Sequence, residues 1–424
     1  MAKAARLNLA EGWTAVAVGQ TQAAKPPQGR ANSELRYSPT QGRRPQGQPQ
    51  NPPPELLTYF FSKPFVMAFI TLDSQKLAEN YQRLDELFQE KNIQWAVVSK
   101  MLCGHRLYLE ELIKLGAKQL CDSRLSNLKM IKSISEEVET IYIKPPPQEI
   151  IPEIVQYADI SFNTEIESIR LLSEEAARQN KLHKVIIMIE MGELREGVMR
   201  EEFMDFYEQV FKLPNIQVVG IGTNLTCMYG VLPSQDKLIQ LCLYEQLVEA
   251  KFNREIPLVS GGSSVTIPLI FQNLLPAGIN HFRVGETLYL GTDVYNNRTY
   301  ERMHQDVFKL YAQIIELNEK PLVPDGNMGL NLKGEAVTFK EELRQKTAVR
   351  AIIDLGLLDV DEAHLQLADP KHKMLGASSD MVVIDLGSNE EKLGVGDLIE
   401  FKLDYMAILR IMNSKYIEKR LAPA

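Results

Sequence analysis

The chain reads as an α/β protein, a (β/α)8 TIM barrel followed by a mostly β C-terminal domain. Three observations predict this. Short apolar runs alternate with segments of helical periodicity between residues 94 and 284. There are eight such runs over roughly 200 residues, the spacing expected of a closed parallel barrel. Beyond Lys320 the pattern changes to closely spaced strands with no long helix between them. A doubly wound parallel sheet is the alternative arrangement for the first part.

Residues 1–56 stand apart in composition. Gln, Pro, Ala, Gly and Arg dominate, with seven basic residues against three acidic ones, Glu11, Glu34 and Glu55. Such a segment buries too little apolar surface to offset its ordering entropy, so a disordered tail is expected. A transit peptide, or translation starting at Met67, are the other readings. The barrel domain is assigned to residues 57–299, and residues 300–424 to a linker and the β domain.

Within the barrel domain, Phe65 to Leu72 is strand-like. Asp73 or Ser74 then caps a helix whose apolar stripe is Leu77, Tyr81, Leu84 and Phe88. The first barrel strand runs from Gln94 to Ser99, and the others lie near 119–122, 140–144, 159–162, 185–190, 217–223, 256–260 and 281–284. Helices fit between them, as at Thr164 to Gln179 and Ser234 to Lys251. From about Tyr300 to Glu316 a helix-like linker is expected. Three further strands follow, at Ala348 to Asp354, Asp380 to Leu386, and around Ile399, Phe401 and Leu403.

Charge and cysteine usage narrow the function. A net charge of −8 argues against nucleic acid or an anionic membrane as partner, since binding phosphates requires a basic surface. A small-molecule substrate fits better. Four scattered cysteines, Cys103, Cys121, Cys227 and Cys242, make no disulfide framework and no metal spacing, which points to a reducing, cytoplasmic setting. No apolar run reaches the ~18 residues that cross a bilayer.

In such a barrel, reactive groups sit at the carboxyl ends of the strands. That rim collects Lys100 after strand one, Glu190 and the loop to Gly197 with Arg195 after strand five, and Thr223-Asn224 after strand six. It also collects Ser260 to Ser264 after strand seven, and Arg283, Gly285 and Glu286 after strand eight. The Gly/Ser loop and Gly285 occupy the usual phosphate cradle of this fold. Each residue also has a plain reading: a surface lysine, a helix cap, an arginine salt bridge. Together, a phosphate cradle, a lysine at the mouth and an arginine at strand eight suggest pyridoxal 5'-phosphate, held by Lys100 as a Schiff base.

Taken in order, several stretches resemble the alanine/ornithine racemase family of pyridoxal phosphate enzymes (fold type III), in particular its ornithine racemase branch. They are Val98-Ser99-Lys100-Met101-Leu102-Cys103-Gly104, Leu194-Arg195-Glu196-Gly197, Gly220 to Cys227, Ser260 to Ser264, Phe282 to Glu286, and Gly376 to Asp380. The resemblance runs from about Phe65 to the C-terminus. It implies that Lys100 is both the Schiff-base lysine and one of two acid/base groups. It implies that Arg283 hydrogen-bonds the pyridine nitrogen and, staying protonated, keeps that nitrogen unprotonated. Ser263 or Ser264 would bind the phosphate, with backbone N–H groups from Gly285 and Glu286, and Arg195 matches the family's other active-site arginine.

There are departures from the family pattern. Asn224 stands where alanine racemases have a histidine, and Cys103 and Gly104 stand where a phosphate-binding tyrosine is expected. The second-face base, a tyrosine from the partner's β domain, has no counterpart at Val337 to Lys340; Cys227, Tyr405 and Tyr416 are the candidates. Alanine is thus disfavoured as the substrate. For ornithine or a related basic amino acid, Asp380 or Glu286 would meet the distal ammonium, although Asp380 also reads as a turn residue. The expected protein is a homodimeric racemase that needs no metal. A non-catalytic carrier of the cofactor and a hydroxy-amino-acid aldolase are the alternatives.

Overall fold

The computed structural model describes residues 68–332 and 334–423; the tail assigned to residues 1–56 lies outside the described residues. Strand β1 (Phe69–Leu72) leads into a helix, Ser74–Glu90, whose Asp73 cap accepts from the Lys76 N–H. The barrel strands follow: β2 (Gln94–Val98), β3 (Gln119–Asp122), β4 (Glu139–Tyr142), β5 (Ile160–Asn163), β6 (His183–Met188), β7 (Ile216–Gly222), β8 (Leu258–Ser260), β9 (Gly262–Ser263) and β10 (His281–Val284). All pair in parallel in the order β8-β7-β6-β5-β4-β3-β2-β10-β9. Because β9 continues β8 after Gly261, the ring closes with eight staves.

The break at Gly261 and Gly262 has a steric reason. A Cβ on Gly262 would lie 2.1 Å from the Phe282 ring, so only glycine lets β9 lie against β10. Two layers of apolar side chains result from strand alternation. One lies between strands and helices; the other, with Ala96, Cys121, Ile141, Phe162, Ile186 and Val219, fills the barrel interior.

Short pairs β11 (Thr292–Asp293) and β12 (Arg298–Thr299) lead to β13 (Phe308–Pro321). This corrects the expected helix-like linker from Tyr300 to Glu316. Phe308, Leu310, Ala312 and Ile314 are buried alternately, a period of two that overrides the helix propensity of Leu, Ala, Gln and Glu nearby. β13 is the spine of the second sheet. Its first half pairs with β1 on one side and β18 (Leu398–Leu403) on the other; after a bulge at Ile314/Glu316 its second half pairs with β14 (Thr347–Ile353). The strands β15 (Leu365–Leu367), β16 (Lys373–Ala377) and β17 (Val382–Asp385) extend this sheet, and β19 (Glu418–Leu421) pairs in parallel with β1. Thus β1, although it precedes the barrel in the chain, belongs to the antiparallel sheet and ties the two halves together.

A helix not foreseen from the sequence, Tyr405–Asn413, is capped by Asp404 and packs on the turn Lys100–Leu102. Among the described residues, no helix is long and apolar enough to cross a membrane.

Candidate active site

A cavity of about 670 Å³ opens at the carboxyl ends of the barrel strands. Ten of the residues singled out from the sequence line it: Lys100, Arg195, Asn224, Cys227, Ser263, Ser264, Arg283, Gly285, Glu286 and Tyr405. Asp380 does not. It is exposed in the turn between β16 and β17, where Ser378 Oγ donates to its Oδ1 at 3.2 Å, so the plain turn reading describes its place in its own chain. Tyr416 is also exposed and outside the lining.

Lys100 opens a one-turn 3-10 helix directly after β2, which lifts its side chain from the barrel core to the rim. No hydrogen bond or ion pair engages its ammonium among the described residues, while the backbone beneath it is pinned. Ser99 Oγ lies 2.9 Å from Asp122 Oδ2, and the other Asp122 oxygen accepts from Arg124 N (2.9 Å) and Asn127 Nδ2 (3.1 Å). Burial pushes the Asp122 carboxyl up. Asn127 in turn packs so close to Gly104 that a Cβ there would meet its Oδ1 at 2.6 Å; Gly104 also has φ +72, so the turn closes only with glycine.

Arg283 is buried at the cavity floor. Its guanidinium donates to the Ser260 and Thr223 carbonyls, each at 2.7 Å, and lies 5.3 Å from the Phe162 ring centre. Ser260 Oγ meets His281 Nδ1 at 2.6 Å, and His281 Nε2 meets Gln119 Oε1 at 3.1 Å. Since an amide oxygen only accepts, Nε2 carries the proton, Nδ1 is an acceptor and the Ser260 hydroxyl donates to it. Burial, and then the Arg283 charge, push His281 down to about 3, consistent with a neutral ring. His281 and Arg283 face inward two residues apart on one strand, a signal legible in the β period that the sequence reading did not use.

One end of the cavity is lined by Ser263, Ser264 and Gly285. Ser264 Oγ accepts from Thr287 N at 3.3 Å, which joins the two loops. A Cβ on Gly285 would come within 3.1 Å of the Val98 Cβ, a tight contact that only a shift of a few tenths of an ångström would relieve. Tyr289, also missed from the sequence, lines the same wall and donates to the Val98 carbonyl at 3.3 Å.

The opposite wall is built by loops. Arg195 is ion-paired with Glu196, a bond that holds its guanidinium well above the usual range, and Asn224, with its amide oxygen facing Arg195, accepts from it. Cys227 Sγ lies 3.8 Å from the far end of that amide. Buried carboxylates brace these loops. Glu190 accepts from Gly192 N and Leu194 N, and Glu193 from Met228 N, Tyr229 N and Val231 N. Asp369, His372 and Glu391 form a group whose ligand atoms lie within 4.8 Å of one another, but none of them lines the cavity.

Comparison with known proteins places this arrangement. Residues 72–293 match the family described as "Alanine racemase, N-terminal domain". Over 353 residues the chain is 37% identical to the ornithine racemase of Acetoanaerobium sticklandii, spanning 83% of this chain and 99% of that protein. It is 30% identical over 355 residues to the lysine racemase of Thermotoga maritima, spanning 84% and 98%. Among solved structures, the alanine racemase of Clostridium difficile 630 superposes with a TM-score of 0.67 at 14% identity, covering 85% of this chain and 97% of that one, a likeness of fold.

Proposed function

Because the chain belongs to the alanine racemase N-terminal domain family, we propose that it is a pyridoxal 5'-phosphate-dependent amino-acid racemase, interconverting the L and D forms of ornithine or a related basic amino acid. The observation that carries this reading is the convergence, in one cavity, of an unpaired Lys100, a buried Arg283 and the Ser263–Ser264 and Gly285 cradle. The relatives named ornithine racemase and lysine racemase support the substrate class.

The residues present fit the cofactor. Lys100 would hold it covalently, Ser263, Ser264 and the backbone of Gly285 and Glu286 its phosphate, and Arg283 its ring nitrogen; Arg195 and Asn224 would face it from across the cavity. When bound, the cofactor withdraws electrons from the substrate's α-carbon and so acidifies its hydrogen. Lys100 removes or returns that proton on one face. The other face needs a group on the far wall. Cys227, on the loop after β7, lines the cavity together with Arg195 and Asn224, three staves from β2 by way of β10 and β8/β9 and five by way of β3 to β6. Cys227 is our candidate for the second proton carrier. Tyr405, pushed up to about 12 by burial and then by Glu286, stays protonated and sits on the helix that packs on the Lys100 turn; its place is to orient the substrate on the lysine side.

In this reading residues 57–299 carry the cofactor and residues 300–424 complete the site. Exposed Leu194, Met228 and Tyr229 on the two far-wall loops support a homodimer in which a second copy covers the mouth. The four unbridged cysteines support a cytoplasmic setting. The test is Cα deuterium exchange by the cofactor-loaded enzyme over L- and D-amino acids. Exchange with formation of the opposite enantiomer supports the racemase; bound cofactor without exchange would leave a carrier, and release of an aldehyde from hydroxy amino acids an aldolase.

A further inference from the structure

Every charged side chain lining the cavity has a partner or an assigned task except two, Lys144 and Glu286. Arg195 and Glu196 pair with each other, Arg283 is held by Ser260 and Thr223, and Lys100 is taken up by the cofactor in the reading above. Lys144 is a cation and faces the Tyr142 ring. Glu286 is therefore the one lining carboxylate with no cation bound to it among the described residues; its single hydrogen bond is a long one, 3.4 Å, from Thr292 Oγ1.

The surroundings of Glu286 make that vacancy costly. The side chain is half-buried near Tyr405, and its own pKa is pushed up, first by burial and then by the Asp404 carboxylate. Asp404 does not relieve it, being engaged with His364 Nδ1 at 2.7 Å and with the Ala407 N–H. The one cation whose field favours the ionised form is Lys100, which makes no bond to the carboxylate and which the reading above gives to the cofactor and the α-proton. A ligand that brings its own cation would make that bond, while Tyr405, Tyr289 and Val294 offer apolar surface to a methylene chain.

We propose that Glu286 is the specificity residue that receives the side-chain ammonium of a basic amino-acid substrate. This inference rests on the racemase reading and deepens it. It is tested on the full-length, cofactor-loaded enzyme with L-ornithine, L-lysine and L-norvaline, the last matching ornithine without its terminal amine. Both kcat/KM for Cα exchange and the dissociation constant, from absorbance titration, are measured. The parent should prefer ornithine to norvaline, and Glu286→Gln should reduce that preference by about 10- to 100-fold in binding as well as in kcat/KM, the size expected for loss of one charged hydrogen bond. Glu286→Asp should fall between them, and it carries the test should the Gln variant lose its cofactor absorbance. An unchanged preference in these variants, or a collapse in Asp380→Asn instead, overturns the inference. A parent that exchanges norvaline and ornithine equally also overturns it, whereas a parent that exchanges no amino acid overturns the racemase reading itself.

Discussion

The two walls of the cavity are built on different physical principles. The wall formed by β2, β8, β9 and β10 carries Lys100, Ser263 and Arg283 on strand ends whose backbones are locked by close contacts and a buried hydrogen-bond chain from Gln119 through His281 and Ser260 to Arg283. The wall carrying Arg195, Asn224 and Cys227 is made of loops held by two carboxylates that collect backbone N–H groups. The first suits a group that must stay fixed through every turnover; the second lets a substrate enter and leave.

That contrast can be broken from either side. The largest effect is expected at Gly262→Ala, where the new methyl would overlap the Phe282 ring; a loss of about 3 kcal/mol in urea unfolding is expected, and a loss below about 1 kcal/mol would mean that β9 can move aside. Ser260→Ala removes the hydroxyl shared by His281 and Arg283 and should cost about 2 kcal/mol, with a weaker hold on the cofactor; thermal melts with and without cofactor separate the two effects. Glu193→Gln acts on the loop wall and should cost about 1 kcal/mol or less globally while accelerating amide exchange at residues 228–231.

The pH dependence of that brace has a definite sign. Burial alone would raise the Glu193 pKa, but its backbone hydrogen bonds outweigh burial and the net shift is downward. The bracing is therefore complete above the unfolded value of about 4.3 and is lost as pH falls through the lower folded value. Protection of these loop amides, taken relative to their intrinsic exchange rates, should fall in acid in the parent and stay unchanged with pH in Glu193→Gln. The smallest effect on stability, within about 0.5 kcal/mol, is expected from exposed Cys227→Ser, which should nonetheless slow exchange from one enantiomer about 100-fold and leave the other much less affected. Equal slowing of both enantiomers would remove Cys227 from the second face.

The locked wall was the more legible from sequence. Apolar runs that lead to Lys100 and to Ser260 announce themselves because a parallel strand buried on both faces has few polar residues until its end. The strands predicted near 119–122 and 281–284 coincide with β3 and β10. What failed was long-range or locally ambiguous. β13 has residues that favour helices but an alternating burial set by β1 and β18, which are distant in sequence. The helix Tyr405–Asn413 follows β18 after a single capping residue. His281 and Gln119 meet across 162 positions, so nothing near either residue announces the contact. Asp380 was offered beside Glu286 because a distal ammonium calls for a carboxylate, with a turn residue as the other reading, and it lies in an exposed turn of its own chain.

The central claim is that Lys100 holds the cofactor. Its most direct test is borohydride reduction of the purified, yellow enzyme followed by peptide mass mapping. The account predicts a reduced pyridoxyl phosphate adduct on the peptide containing Lys100, and neither adduct nor visible absorbance in Lys100→Ala. An adduct on another lysine, or a Lys100→Ala variant with the parent's absorbance, would contradict it.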